Sequence, residues 1–258
     1  MEGPRPLSGR TVIVTHARAV SSRLTGRLRA LGAAVVVAPL IRVVPPRSRR
    51  RLDESLRRLG RFDAVVFASA NAVEAFFRRS ATVLKKTPVA PRFVAAVGPA
   101  TAAALAARGW RASTVPKDRR AEGLAAALRL PRGSQVLIPR AERGREALPR
   151  LLKAAGQRVT VVSAYRTAPD RAGRRTLRAA LADGADAVCF ASGSAAASAA
   201  AALGPVRLRR AFRAAAAVAI GPTTAAALRA RGVIPVTARS ADDRGLTDAV
   251  VRALRRKP

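Results

Sequence analysis

The chain has 258 residues, with 49 lysines and arginines against 15 acidic residues, which gives a formal net charge of +34. Its single cysteine and single histidine exclude an intrachain disulfide and a zinc site built from clustered cysteines and histidines. Aromatic residues make up only 3% of the chain, too few for the stacking platforms of single-strand binders, and we find neither a bilayer-spanning apolar run nor a signal core in residues 1–9.

The predicted elements alternate along the chain between short apolar runs and amphipathic helices. VIVT at 12–15 precedes the first helix, and VLIP at 136–139 precedes a similar helix in the second half. Four predicted helices end in glycine, at Gly32, Gly109, Gly156 and Gly232. Glycine takes the left-handed conformation that closes a helix, so the chain can turn into the next strand after each of these helices. Valine-rich strands alternating with helices predict a parallel α/β sheet.

An internal repeat relates the two halves of the chain. FASANAVEAF begins at Phe67 and FASGSAAASA begins at Phe190, 123 residues later. VGPATAAALAARG and IGPTTAAALRARG place their first glycines at Gly98 and Gly221, again 123 residues apart. Two motifs that recur at the same offset predict that the chain contains two copies of one α/β unit. The copies span roughly residues 10–132 and 134–256.

Hydroxyl and amide side chains follow four predicted strands, where the next helix begins. They are Ser69, Asn71, Thr101, Ser192, Ser194, Thr223 and Thr224. Ligands of open α/β sheets bind outside the carboxyl ends of the strands, and the free N–H groups of helix starts favour carboxylates there. Each residue alone is also explained as an N-cap. Four such ends in a duplicated fold favour a cleft that binds a polyanion.

Motifs of several other enzyme classes are missing. We find no glycine-rich dinucleotide or phosphate loop, no nucleophile elbow, and no cluster of metal ligands. A Ser-His-Asp triad would have to recruit His16, the only histidine, and Cys189 in the run AVCF is interpreted as a buried core thiol. The residues therefore predict no cofactor and no metal.

In their order and spacing, several segments resemble the uroporphyrinogen-III synthase family from about Gly9 to Leu254. They are VIVTHARAVSSRLTGRLRALGAAVVVAPLIRVVP, FASANAVEAF, VAAVGPATAAAL, LIPRAERGREALP, SAYRT, FASGSAA, AIGPTTAAALRARG and GLTDAVVRAL. The resemblance implies two similar parallel-sheet α/β domains joined by a two-strand linker, with the active site in the interdomain cleft. Domain one is expected at 1–42 and 168–258, and domain two at 46–163.

The resemblance also implies a reaction. The family cyclises hydroxymethylbilane to uroporphyrinogen III, with loss of water and inversion of the last pyrrole ring, in tetrapyrrole and heme biosynthesis. The substrate has eight carboxylates, which agrees with the basic composition. We expect a cytoplasmic monomer without cofactor that takes its substrate in a hand-off from hydroxymethylbilane synthase and has no membrane partner.

Site residues follow from the same resemblance. Tyr165 of SAYRT matches a tyrosine that is implied to help the hydroxyl group leave, and its other interpretation is a strand-end ring packed at the linker. The substrate-binding set is Ser69, Asn71, Thr101, Arg140, Ser192, Ser194, Thr223 and Thr224, with a solvated surface side chain as the other interpretation of Arg140. The chain departs from the family pattern at Ala68, Ala191 and His16, where the family often has threonine, threonine and arginine.

Two other functions stay open. One is a non-catalytic two-lobed protein that binds small anions. The other is nonspecific nucleic-acid binding driven by charge, although arginine supplies 44 of the basic residues along the whole chain without a zinc-finger or basic-zipper pattern. An arginine-rich composition of solvent-facing helices explains the charge without any such partner, so we expect no specific nucleic-acid partner.

Overall fold

The computed structural model describes residues 5–16, 18–118 and 120–255, with the backbone alone at 18–22. The predicted lack of a signal core falls partly on residues 1–4, which lie outside the described residues. The chain divides into two compact units. Unit 1 consists of the residues up to Arg42 and from Ala168 onward, and unit 2 is Val43–Thr167.

The described residues form ten strands and eleven α-helices. The strands are β1 (Thr11–Val14), β2 (Ala34–Val37), β3 (Ile41–Val44), β4 (Ala64–Phe67), β5 (Phe93–Ala96), β6 (Gln135–Ala141), β7 (Arg158–Pro169), β8 (Ala187–Phe190), β9 (Ala216–Ala219) and β10 (Val236–Thr237). The helices are α1 (Arg18–Ala30), α2 (Arg50–Arg57), α3 (Ala70–Leu84), α4 (Pro99–Ala106), α5 (Ala121–Ala127), α6 (Ala147–Ala154), α7 (Arg171–Ala182), α8 (Gly193–Leu203), α9 (Pro205–Ala214), α10 (Pro222–Arg229) and α11 (Asp243–Arg255). None of these helices is both long and apolar enough to cross a membrane.

Each unit is built on a five-stranded sheet. The strand order is β10-β9-β8-β1-β2 in one sheet and β3-β7-β6-β4-β5 in the other. The pairings of β1 with β2 and β8, of β8 with β9, and of β9 with β10 are parallel, as are those of β4 with β5 and β6 and of β6 with β7. The predicted parallel α/β class is therefore confirmed. Strands β3 and β7 each run across a boundary between the units.

Helices cover both faces of each sheet, which explains why the strands are continuous apolar runs. Alternate strand residues point to opposite faces. In unit 1, Ile13 packs with α7–α10 on one face while Val12 and Val14 pack with α1 and α11 on the other. In unit 2, Phe67 packs with α2–α4 while Val66 packs with α5 and α6.

The predicted helix ends are also confirmed. Gly32, Gly109, Gly156 and Gly232 have φ angles of 94°, 79°, 85° and 76°. These angles lie in the left-handed region that a side chain rarely adopts, so glycine lets each helix close there. Cys189 is a buried core thiol as predicted, and burial raises its pKa to about 12.

Candidate functional site

In unit 2 the direction of the chain reverses between two neighbouring strands. Strand β4 lies between β5 and β6, and the chain leaves it through α3 toward β5, whereas it leaves β6 through α6 in the other direction, toward β7. Helices α3 and α6 pack on opposite faces of the sheet. Such a reversal leaves a crevice at the carboxyl ends of the two strands, which is the usual ligand site of open α/β sheets. Ser69 follows β4 and Arg140 lies near the end of β6, so both border this crevice.

Unit 1 repeats the arrangement. Strand β8 lies between β9 and β1, the chain leaves β8 toward β9 and β1 toward β2, and α8 and α1 pack on opposite faces. The equivalent crevice lies between the ends of β8 and β1. Ser192 follows β8 and His16 follows β1.

Tyr165 and Ser69 contact each other although they are 96 residues apart. The Tyr165 hydroxyl oxygen lies 3.3 Å from Ser69 Oγ, a distance at which either group can donate the hydrogen bond. Ser69 is also the N-cap of α3, because its Oγ accepts the N–H of Ala72 at 3.2 Å. The Tyr165 ring is buried, with 8% of the residue exposed, in the core cluster that includes Phe76. The fold thus holds one end of the tyrosine in the core and the other at a helix start.

A cavity of about 130 Å³ lies beside this tyrosine within unit 2. Its lining includes the apolar residues Val43, Pro46 and Ala164 and the basic residues Arg78 and Arg79. Arg79 donates through Nε and Nη2 to both carboxylate oxygens of Asp53, each at 2.6 Å. This pair holds the pKa of Asp53 below its ordinary value, chiefly through the hydrogen bonds from Arg79. The Arg79 side chain therefore links α3 to α2.

Thr101 and Thr224 lie within the first turns of α4 and α10 and are 4% exposed. The N-caps of these helices are Gly98 and Gly221, so the interpretation of the two threonines as N-caps is wrong. Both helices have proline at N1, where a missing N–H costs nothing and φ suits the helix. Unlike Ser69, the two threonines therefore do not cap their helices.

The remaining hydroxyl and amide residues divide by exposure. Ser192 is the N-cap of α8, accepting the N–H of Ala195 at 3.1 Å, as the sequence allowed. Asn71, Ser194 and Thr223 are exposed in the first turns of α3, α8 and α10. In unit 1, Ser192 and Ser194 lie on one helix start and Thr223 and Thr224 on another.

Arg140 is held by its own loop. Its Nη1 donates to the carbonyl oxygen of Arg145 at 2.6 Å and its Nη2 is paired with Glu146. Only 15% of the Arg140 side chain is exposed, so the interpretation of a solvated surface arginine is wrong. Gly144 is needed for this packing, since a Cβ there would lie 2.8 Å from Arg140 Cδ. The Nε of Arg140 is buried and has no hydrogen-bond partner in the described part of the chain.

His16 resembles Arg140 in this last respect. Its Nδ1 is buried without a hydrogen-bond partner among residues 5–16, 18–118 and 120–255. Burial lowers the pKa of His16, and the charge of Asp243 opposes this effect. The sequence pattern marked His16 only as a departure from the family. The internal repeat could have marked His16 as a candidate site residue, because residue 16 is the counterpart of residue 140 at an offset of 124.

The carboxyl ends of the two sheets carry several groups that are able to bind anions. They offer hydroxyl groups, helix N-termini, a guanidinium and an imidazole, and in unit 2 also a phenol. Such groups bind carboxylates and can donate a proton. Within the described residues, no group of three or more histidine, cysteine or acidic side chains is arranged to hold a metal ion.

Comparison with known proteins gives the family. The family model described as Uroporphyrinogen-III synthase HemD matches residues 22–248. The uroporphyrinogen-III synthase of Synechococcus elongatus is 40% identical over 163 residues, which cover 62% of this chain and 62% of that protein. The match thus spans less than two thirds of the length of this curated relative.

Two solved structures share the fold. A variant uroporphyrinogen III synthase from Thermus thermophilus has a TM-score of 0.67 at 23% identity, covering 96% of this chain and 100% of that one. The uroporphyrinogen-III synthetase of Helicobacter pylori has a TM-score of 0.59 at 16% identity, covering 94% and 99%. With most of its length matched by one family model, the chain belongs to the uroporphyrinogen-III synthase family.

Proposed function

We propose that this protein is a uroporphyrinogen-III synthase, a cyclising lyase that converts hydroxymethylbilane to uroporphyrinogen III. The observation that carries the proposal is the family match over residues 22–248. The strand-edge hydroxyls, buried basic nitrogens and phenol supply groups that suit a polycarboxylate substrate.

In the proposed reaction, the protein forms no covalent bond to the substrate. The terminal hydroxyl of the bilane leaves as water after it takes up a proton, and the resulting azafulvene is attacked by a pyrrole carbon of the same molecule. The attacking carbon is the one in the last pyrrole that already carries the bridge, so a spiro intermediate forms. The old bridge bond then breaks to give a second azafulvene. The free α-carbon of the same pyrrole attacks this azafulvene and loses its proton, so the ring closes with the last pyrrole inverted and with net loss of one water. The substrate supplies both electrophile and nucleophile, and the protein holds, orients and protonates it.

Tyr165 is the proposed proton donor. Because Ser69 Oγ accepts the N–H of Ala72, the Ser69 hydroxyl can donate its own proton to the Tyr165 oxygen. The phenolic proton then points away from Ser69 and is available to the departing hydroxyl. A phenol keeps its proton at neutral pH, so it can act as a donor there. Ser69 is in this account a positioning residue for Tyr165.

The substrate carboxylates are proposed to bind at the carboxyl edges of the two sheets. In unit 2 this involves Asn71, Thr101, Arg140 and the helix start that Ser69 caps, since the Ser69 hydroxyl proton is directed to Tyr165. In unit 1 it involves Ser192, Ser194, Thr223 and Thr224. The starts of α3, α4, α8 and α10 supply N–H groups, which favour anions together with the helix dipole. Each Arg140 Nη already donates one N–H to the Arg140 loop, which leaves Nε and the second N–H of each Nη for a substrate carboxylate.

We further propose that the protein works as a monomer in the cytoplasm. Free hydroxymethylbilane closes spontaneously to isomer I, so a hand-off from hydroxymethylbilane synthase would protect it. The non-catalytic anion-binding function is not favoured by membership in a family of enzymes. Nonspecific nucleic-acid binding is a separate property, which a salt series would reveal because phosphate contacts weaken steeply with salt.

The product isomer tests the proposed function. Purified protein, without added metal or cofactor, should turn hydroxymethylbilane into isomer III, measured by chromatography after oxidation to the porphyrin. A sample without protein and a heat-denatured sample give the spontaneous isomer I. A product mixture equal to these controls would contradict the proposal.

A further inference from the structure

Arg140 and Arg166 lie on the same face of the sheet in unit 2, on the neighbouring strands β6 and β7. In β6, Ile138 packs with α5 and α6, and the alternation of side chains puts Arg140 on that face as well. In β7, Ala164 and Tyr165 both pack on the opposite face, because the register with β6 shifts by one residue at this point. Arg166 follows Tyr165 and therefore returns to the face of Arg140.

The two arginines are also close to each other along the sheet. The N–H of Glu142 donates to the carbonyl oxygen of Tyr165 at 2.8 Å, so the pairing of β6 with β7 continues and brings Arg166 level with Glu142. Arg166 is thus two residues beyond the level of Arg140. Strands about 4.8 Å apart with a rise of about 3.3 Å per residue place the two Cα atoms about 8 Å apart, so the two long side chains can reach one point.

The guanidinium group of Arg166 has no partner in the described part of the chain. Its Nε is buried without a hydrogen bond, as is the Nε of Arg140. Unlike Arg140, which is paired with Glu146, Arg166 forms no ion pair within residues 5–16, 18–118 and 120–255. An unpaired charge that is partly removed from water is destabilising, and a second guanidinium nearby adds repulsion. The charge of Arg166 therefore does not stabilise the fold.

The neighbouring acidic side chains are directed to other arginines. Glu142 is level with Arg166, but its carboxylate accepts the backbone N–H of Arg47 at 3.4 Å and lies 3.8 Å from Arg47 Nη1. Glu146 is paired with Arg140. A carboxylate brought by a ligand would meet two guanidinium groups on one side of the sheet, and a planar carboxylate suits the donor fork of arginine.

We propose that Arg166 binds a carboxylate of the tetrapyrrole, which it shares with the Nε of Arg140. This inference rests on the proposed function and adds a substrate contact to it. The chain neighbour of Arg166 is Tyr165, whose hydroxyl oxygen lies 3.3 Å from Ser69 Oγ. A carboxylate held at Arg166 keeps the bilane beside the proposed proton donor. Arg166 is thus a binding residue, with no part in moving the proton of the reaction.

Replacement of Arg166 by leucine should change stability and affinity in opposite directions. Without ligand, urea unfolding followed by Trp110 fluorescence should give Arg166→Leu a midpoint equal to or above that of the wild type, because an unpaired charge is removed. Calorimetric titration with uroporphyrinogen III, kept reduced under nitrogen, should give a Kd about tenfold above the wild-type value. A midpoint below that of the wild type, or failure to fold, would assign Arg166 a structural role and overturn the proposal.

Steady-state kinetics separate binding from chemistry. Arg166→Leu should raise KM for hydroxymethylbilane about tenfold with kcat within about twofold, the pattern of a contact that is equal in the ground state and the transition state. Arg166→Lys keeps the charge without the planar fork and should restore KM to within about threefold of wild type. Arg158→Leu is the matched control, because Arg158 is exposed at the opposite end of β7. It removes a positive charge from the same strand and should leave KM unchanged.

The two proposals fail separately. Isomer I from the wild type would end the proposed function. Isomer III from the wild type, together with a wild-type KM and a wild-type Kd in Arg166→Leu, would overturn the Arg166 contact alone. An equal rise of KM in Arg158→Leu would also overturn it, because the effect would then come from the net charge of unit 2.

Discussion

The two units share a fold but fill it with different side chains. In unit 2, α3 buries Phe76 and Phe77 against Trp110, with ring centroids 5.8 and 5.0 Å from that of the tryptophan. The counterparts in unit 1, at an offset of 123 residues, are Ala199, Ala200 and Val233. Phe76 and Ala199 are both completely buried.

The comparison shows that the residues that determine the fold differ from the residues that stabilise it. The serine caps before α3 and α8 and the Gly-Pro starts of α4 and α10 are common to both units, and they determine where the helices begin. The core side chains differ in size, and aromatic residues bury far more area than alanine. We therefore expect unit 2 to depend on a few large side chains and unit 1 on many small ones.

The largest expected effect is that of Phe76→Ala. Loss of a buried phenylalanine typically costs about 3–5 kcal/mol, and the Phe67 and Trp110 rings would lose their partner. The counterpart substitution Ala199→Gly in unit 1 should cost only about 1 kcal/mol, chiefly through helix propensity. Urea unfolding followed by the fluorescence of Trp110, the only tryptophan, measures the change in unit 2.

Cys189 provides the matching probe of unit 1. Its thiol is buried and unreactive while unit 1 is folded, and it is the only cysteine of the chain. Phe76→Ala should leave the urea dependence of Cys189 labelling nearly unchanged, whereas Ala199→Gly should shift it. Equal shifts of both probes for both variants would show that the units do not differ in this way.

A smaller effect is expected from the Asp53–Arg79 pair, which unit 1 lacks because Thr176 and Ala202 stand at the equivalent positions. The pKa of Asp53 is lowered in the folded state, so its contribution is present above the ordinary aspartate pKa of about 4 and is lost as pH falls through the folded value. Asp53→Asn should cost about 1–2 kcal/mol at pH 7.

The pH dependence distinguishes this ion pair from general packing. Below about pH 4, the difference between Asp53→Asn and the wild type should shrink, as measured by Trp110 fluorescence in urea at several pH values. Asp118→Asn is the control, because its carboxylate pairs with Arg120 at the surface. A cost for Asp53→Asn that persists at low pH would assign the effect to packing.

The smallest effects concern the two N-cap serines. Ser69→Ala and Ser192→Ala should each cost about 1 kcal/mol of stability, the usual loss for a cap. Ser69→Ala should in addition lower turnover several-fold, since it also removes the partner of Tyr165. In a double-mutant cycle, Ser69→Ala should add little to the loss of turnover caused by Tyr165→Phe. Additive losses would contradict the coupling between the two hydroxyls.

Sequence patterns predicted the parts of the molecule that depend on local rules. The strand runs, the helix ends at Gly32 and Gly156, and the capping serines follow from neighbouring residues, and the structure confirms them. The alternative interpretation of Thr101 as an N-cap is wrong, because a hydroxyl near a helix start does not reveal which residue is the cap.

The contacts of the site residues could not be predicted from the sequence, for a different reason. The Tyr165–Ser69 contact joins residues 96 apart, and only the order of strands in the sheet brings them together. Arg140 is held by a loop in which Gly144 allows a close approach, a steric detail that no periodicity contains.

The most direct test of the account is the turnover of Tyr165→Phe. Rates of isomer III formation should be measured for wild type and variant from the same preparation of hydroxymethylbilane. The substitution keeps the buried ring and removes only the hydroxyl, so the account predicts a fall of at least about tenfold with thermal stability little changed. Turnover equal to wild type, with a clear loss in Thr101→Val or Thr224→Val, would contradict the account and assign the role to the threonine-bearing helix starts.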